Sequence, residues 1–114
     1  MISVALGIEV SPEKSDEAMQ LIARTVSRTR IELGCLSCDV FRSVRNESVL
    51  VLAERWDTKE HLEHHIRSDS YRDVLAWIDM SDRQPEIHFD VVSQSEGLEL
   101  IENVLGKEQI DDDL

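Results

Sequence analysis

Ile2-Ser3-Val4-Ala5-Leu6-Gly7-Ile8-Glu9-Val10-Ser11-Pro12-Glu13 decides how the rest of the chain is read. Large apolar residues fall at 2, 4, 6, 8 and 10, and small or polar ones between them. Side chains alternate faces along a strand, so this is a strand with one strongly apolar face. Ser11 can cap, proline suits the first helical position, and Glu13 favours the positive helix end. A helix should follow directly.

That helix carries Met19, Ile22, Ala23, Val26, Arg30 and Leu33 at helical spacing, with Gly34 as its stop. Residues 35 to 45 read as a second strand, with Leu36, Cys38, Val40, Arg42 and Val44 on one face. Arg45-Asn46-Glu47-Ser48 is a short polar connection. Val49 to Trp56 is a third strand, apolar on both faces through Ala53, and so expected to be buried on both sides. Asp57-Thr58 caps a helix whose inner face is marked by Leu62 and Ile66. Ser68-Asp69 breaks or kinks it, and Tyr71, Val74, Leu75 and Ile78 continue an amphipathic helix. Pro85 opens a fourth strand with Ile87, Phe89 and Val91 on one side. Ser95 caps a last helix striped by Leu98, Ile101, Val104 and Leu105, and Gly106 ends it. The tail at Asp111-Asp112-Asp113 is expected to be disordered.

The order is β-α-β-β-α-β plus a C-terminal helix: an α+β, ferredoxin-like arrangement with an antiparallel sheet. Residues 1–94 form the domain, and 95–114 its terminal helix and acidic tail. Helices cover one sheet face. The other carries Phe41, Val49, Val51, Ala53 and Val92 with nothing left to cover it. A second copy related by a two-fold axis is the simplest cover, and two such sheets enclose a barrel. The alternative is a monomer, since Ser3, Glu9, Ser37, Asp39, Ser43, Arg55, His88 and Asp90 share that face.

Composition narrows the partners. The chain has 114 residues, 41% hydrophobic, with five aromatic residues and a formal charge of −12 from 24 acids and 12 bases. That charge argues against nucleic acid and against an anionic membrane surface. No apolar run reaches the roughly 18 residues a membrane helix needs. Met1-Ile2-Ser3-Val4 lacks the basic region of a secretory signal, so a reducing cytoplasm is expected for the two cysteines.

His61-Leu62-Glu63-His64-His65 holds three imidazoles. His61 and His65, four apart, can share a metal, but the glutamate is at the wrong offset for a zinc-protease motif; no metal site is assigned. Helical phase sends His64 to solvent, leaves His61 on the flank and sets His65 nearest the apolar stripe. Trp56 shares a strand face with Leu50, Leu52 and Glu54, the helix-covered face. Trp56 and His65 are therefore expected to face one cavity between sheet and helices, with Glu54 close enough to form an acid/base pair with the imidazole. The plainer reading makes Trp56 core and lets His65 seal the helix against Glu54 or a backbone carbonyl. Cys35-Leu36-Ser37-Cys38 follows a helix C-terminus, where the dipole has the wrong sign for redox chemistry. Its spacing sends the thiols to opposite faces, so both read as structural.

The stretch Gly34-Cys35-Leu36-Ser37-Cys38-Asp39-Val40-Phe41-Arg42-Ser43 resembles the G-C-x-x-Y-x-x-x-x-S strand of the antibiotic biosynthesis monooxygenase family. Glu54-Arg55-Trp56 resembles its E-x-W, and Leu62, His65 and Ser68 its L-x-x-H-x-x-S. The likeness runs from about residue 2 to 94 and implies a dimeric α+β barrel. It implies a monooxygenase that oxidises a small aromatic or quinol-type molecule with O2, using neither metal nor flavin. In that role His65 handles the proton and Glu54 tunes it. Trp56 forms an apolar wall, and Leu6 and Arg42 complete the substrate-binding set. Arg42 has an alternative as a salt-bridge partner of Glu54. Other branches imply a haem-binding or haem-degrading protein, or an isomerase, and a non-catalytic small-ligand-binding dimer is a further alternative. The first strand, Val4-Ala5-Leu6-Gly7-Ile8, lacks the asparagine of the haem branch.

Overall fold

The computed structural model describes the backbone of residues 1–112 and side chains through residue 106. Strand β1 (Ile2–Glu9) leads into helix α1 (Pro12–Thr29), followed by strands β2 (Cys35–Arg42) and β3 (Val49–Trp56). Helices α2 (Lys59–Arg67) and α3 (Tyr71–Asp79), strand β4 (Glu86–Val91) and helix α4 (Leu98–Asp112) complete the order. The four strands make one antiparallel sheet in the order β2-β3-β1-β4. This is the expected ferredoxin-like α+β fold with its extra C-terminal helix.

Alternation in β1 does what the sequence requires. Ile2, Val4, Leu6, Ile8 and Val10 are buried, and across the register Leu6 faces Leu52 while Val4 faces Glu54. In β3 only one face is fully buried. Leu50, Leu52, Glu54 and Trp56 lie under the helices, whereas Val49, Val51 and Ala53 are half-exposed on the open side. The two-sided burial expected of β3 is therefore not found within one chain.

Helix α1 presents a different stripe from the one expected. Ala18, Ile22, Thr25, Val26 and Thr29 are buried, Met19 is half-buried, and Ala23 is exposed. Two threonines occupy core positions that apolar spacing alone passes over; the Thr25 hydroxyl satisfies itself on the Leu21 carbonyl at 3.3 Å. Helix α1 ends at Thr29 rather than running to Gly34, so Leu33 faces solvent. Gly34 instead takes φ +87° in the connection that follows. Its carbonyl accepts from the Asp57 N–H at 2.9 Å, and a Cβ there would collide with the His61 ring.

β2 is shorter than expected, ending at Arg42, and Val44 is fully exposed. A bulge between Cys35 and Ser37 resets its alternation: Cys35 pairs with Trp56 and Cys38 with Glu54. Both cysteines thus lie on the helix-covered side rather than on opposite faces, and Leu36 is exposed.

The break at Ser68-Asp69 is real. Ser68 takes an extended backbone (φ −71°, ψ 154°) that closes α2, and its hydroxyl donates to the His65 carbonyl at 2.6 Å. The inner faces are Leu62 and His65 on α2, then Tyr71, Val74 and Trp77 on α3. Ile66 and Leu75, expected inside, point outward because the core positions go to His65 and Trp77. Helix α4 starts at Leu98, past the anticipated Ser95 cap, and continues through Gly106 to Asp112. The tail expected to be disordered overlaps that helix at Asp111 and Asp112, and Asp113 lies outside the described residues. No helix among the described residues is long and apolar enough to cross a membrane.

Candidate functional site

Three elements converge beneath α2. β3 ends on Trp56, α2 delivers His65 one turn before its stop, and the connection after α1 swings Glu32 inward. Trp56 and His65 stack with ring centroids 4.7 Å apart and planes 29° apart. Tyr71 meets the other side of the imidazole edge-on at 5.2 Å. Trp56 and His65 are both completely buried, and Glu54 nearly so.

The polar contacts form a chain. His65 Nδ1 lies 2.7 Å from Glu32 Oε2. On the other edge, His65 Nε2 is 3.6 Å from Glu54 Oε2, an ionic contact too long for a hydrogen bond, and Nε2 has no hydrogen-bond partner among the described residues. Glu54 Oε1 accepts from Trp56 Nε1 at 3.0 Å, and Oε2 takes the Cys38 thiol at 3.9 Å. A buried imidazole between two carboxylates feels opposed effects. Burial disfavours its charged form, but Glu54 and then Glu32 outweigh that, so its pKa is raised above the ordinary histidine value. Burial, with the Glu54 charge behind it, pushes the phenol of Tyr71 up as well. The same two causes raise both thiols, so neither cysteine is an activated nucleophile.

The three histidines differ as their helical phase implies. His64 is exposed. His61 is partly exposed, with Nδ1 2.7 Å from Asp57 Oδ1, and that bond holds the Asp57 carboxyl below its usual range. The backbone N–H of His61 also donates to the capping Thr58 hydroxyl at 3.2 Å. His61 and His65 therefore bond different carboxylates.

Of the residues singled out from sequence, the fold brings together Trp56, His65 and Glu54. It does not bring in Arg42, which is exposed, sits opposite Leu50 and donates to Ser15 Oγ at 2.9 Å. Nor does Arg42 pair with Glu54, which lies across from Cys38. Leu6 is buried in the sheet core beside Leu52 rather than lining an open space. Trp56 and His65 were expected to face a cavity; instead their rings pack on each other. A pocket of about 620 Å³ opens mainly on the uncovered sheet face, among Ser3, Ala5, Phe41 and Ala53, and its lining extends to Cys38 and Glu54.

Glu32 escaped the sequence reading. A signal was there: an acid just past the C-terminal end of a helix opposes the dipole. A position unfavourable to the helix is explained once Glu32 is seen to hold His65.

Comparison with known proteins agrees with this architecture. Residues 1–77 match the model of the family described as antibiotic biosynthesis monooxygenase. YcnE of Bacillus subtilis (strain 168), named provisionally as a monooxygenase, is 28% identical over 76 residues, covering 67% of this chain and 80% of that protein. A solved structure of a conserved protein from Methanosarcina mazei Go1 superposes with a TM-score of 0.73 at 30% identity, covering 78% of this chain and 89% of the other. Rv0793 from Mycobacterium tuberculosis shares the fold with a TM-score of 0.76 at 22% identity, over 84% and 98% of the two chains. The match over residues 1–77, with the same fold recurring in these proteins, makes this chain a member of the antibiotic biosynthesis monooxygenase family.

Proposed function

We propose that the chain is a cytoplasmic, cofactor-independent monooxygenase that oxidises a small phenolic or quinol-type substrate with O2, with His65 as the proton-handling group. The carrying observation is the imidazole itself: fully buried, fixed at Nδ1 by Glu32, and holding Nε2 free of hydrogen bonds 3.6 Å from Glu54. A geometry of that kind serves proton transfer, because one nitrogen is oriented and the other is left to react.

The chemistry balances with substrate and oxygen alone. The phenolate gives an electron to O2, and a C–O bond forms at a ring carbon bearing hydrogen. That C–H proton leaves to a base and the O–O bond breaks. A carbonyl remains on the ring and the second oxygen departs as water. Neutral His65 is the base, and Glu54 offsets the charge it acquires. The Trp56 ring is the surface on which the substrate stacks. Trp56 is covered by His65, so substrate reaches the Trp56 face and Nε2 only where the two rings part.

The working unit is a homodimer through the open sheet face, where Phe41 is 57% exposed. An apolar residue of that size on an uncovered sheet supports burial against a second copy.

One observation favours a second reading. Trp56 and His65 fill each other's space completely, as a purely structural core would. The non-catalytic small-ligand-binding dimer follows from that reading. Haem ligation is less compatible, since Nδ1 is taken and Nε2 faces a buried carboxylate. Oxygen-electrode assays against a hydroquinone and phenol panel separate these readings. The oxygenase predicts uptake that rises as pH passes upward through the raised pKa of His65, and that disappears in His65→Gln. A stable ligand complex without oxygen uptake supports the binding module instead.

A further inference from the structure

Two apolar surfaces on this chain are complementary to each other, and neither is covered. The first is α4. Leu98, Ile101 and Leu105 recur at helical spacing, with Leu100 and Val104 on the adjoining row, so the apolar side is about half the helix circumference. All five are exposed, between 46% and 67%. The second is a groove of about 360 Å³ lined by Ile2, Leu62, Ile66, Phe89 and Val91, with Lys59 and Glu63 at its rim.

The helix stands away from its own body. The radius of gyration is 18.0 Å, against roughly 13 Å for a compact chain of this length, and the longest dimension is 59 Å. The Val92 N–H is held by the Met1 carbonyl at 2.8 Å, which carries the β4 direction past the sheet. A return onto the same chain's groove would have to reverse within Ser93–Gly97. Reciprocal exchange across a two-fold axis needs no such reversal, and it fills two grooves with two helices. Glu99 and Glu102 on α4 complement Lys59 on the groove rim, where the one acid, Glu63, is already paired with Arg67 at 3.1 Å.

We infer that α4 of one copy seats in the Ile2–Leu62–Ile66–Phe89–Val91 groove of a second copy, clasping the dimer from outside the barrel. This rests on the homodimer reading above. Light scattering and sedimentation equilibrium on the full chain test both. Wild type should be dimeric; a mass of 13 kDa throughout would overturn both readings together. Ile101→Asp with Leu105→Asp alters only exposed side chains and should weaken the dimer by about tenfold or more. An unchanged dimer constant would overturn the clasp and leave the sheet-face dimer standing. Disulfide trapping gives an independent readout. Mixing the Ile66→Cys chain with the Ile101→Cys chain should give a covalent dimer that neither chain forms alone. If the doubly substituted chain closes only within itself, at monomer mass, the helix belongs to its own groove and the inference fails.

Discussion

The two faces of the sheet are built from the same strands and could hardly differ more. On the helix side, β3 places Leu50, Leu52, Glu54 and Trp56 in a dry layer, where Glu54 takes the Trp56 N–H and faces His65 Nε2 at 3.6 Å. One residue along, the same strand gives Val49, Val51, Ala53 and Arg55 to a face that none of the described residues covers. The difference teaches where each kind of interaction counts. A charge on the open face is solvated and adds little. His65 and Glu54 are out of water, so each depends on buried partners: His65 on Glu32 and Glu54, and Glu54 on Trp56 and His65.

Removing one partner from the covered face should therefore give the largest effect on folding. His65→Ala strands Glu54 and leaves a hole under Trp56; urea unfolding should show a loss of about 3–5 kcal/mol. A loss under 1 kcal/mol would mean the cluster is solvated and the contrast between faces is wrong. Gly34→Ala comes next. It forces φ +87° on a residue with a Cβ and drives that Cβ into His61, at a cost of about 1–3 kcal/mol. The open face answers differently. Phe41→Ser should leave the stability of the isolated subunit within about 0.5 kcal/mol and weaken the dimer, read by sedimentation. Large monomer destabilisation there would erase the distinction.

The smallest effect is in the pH dependence. The pKa of His65 is raised in the folded chain. Its contribution to stability is thus fully present below the unfolded value near 6.5 and is lost as pH rises through the folded value. Glu32→Gln removes one of the two charges that raise it, so this slope should flatten between neutral and mildly alkaline pH. An identical profile in the variant would separate Glu32 from the imidazole.

How much of this was legible depended on whether the signal was periodic. β1 alternates without a fault, and that alone fixes which way β3 faces and hence the side of Trp56. Helical phase was enough to separate His65 from His64. What failed were positions where polar residues do core work or where the backbone slips. Thr25 and Thr29 are buried but read as polar, which shifted the α1 stripe. The bulge after Cys35 has no strong local signature, yet it reverses the face assigned to one cysteine. Glu32 reaches His65 across 33 residues of chain, a contact set by the turn after α1 rather than by any spacing. Arg42 was on the correct side of its strand but too far along it to meet Glu54.

The covered face can be read as a core or as a reacting centre, and oxygen uptake decides between them. Wild type and His65→Gln should be compared against one phenol and hydroquinone panel from pH 6 to 9, after matched folding by circular dichroism. Substrate-dependent uptake is expected in wild type, rising with pH, and background uptake in His65→Gln. Equal uptake by the two proteins, or none by either across the panel, would contradict the reacting centre.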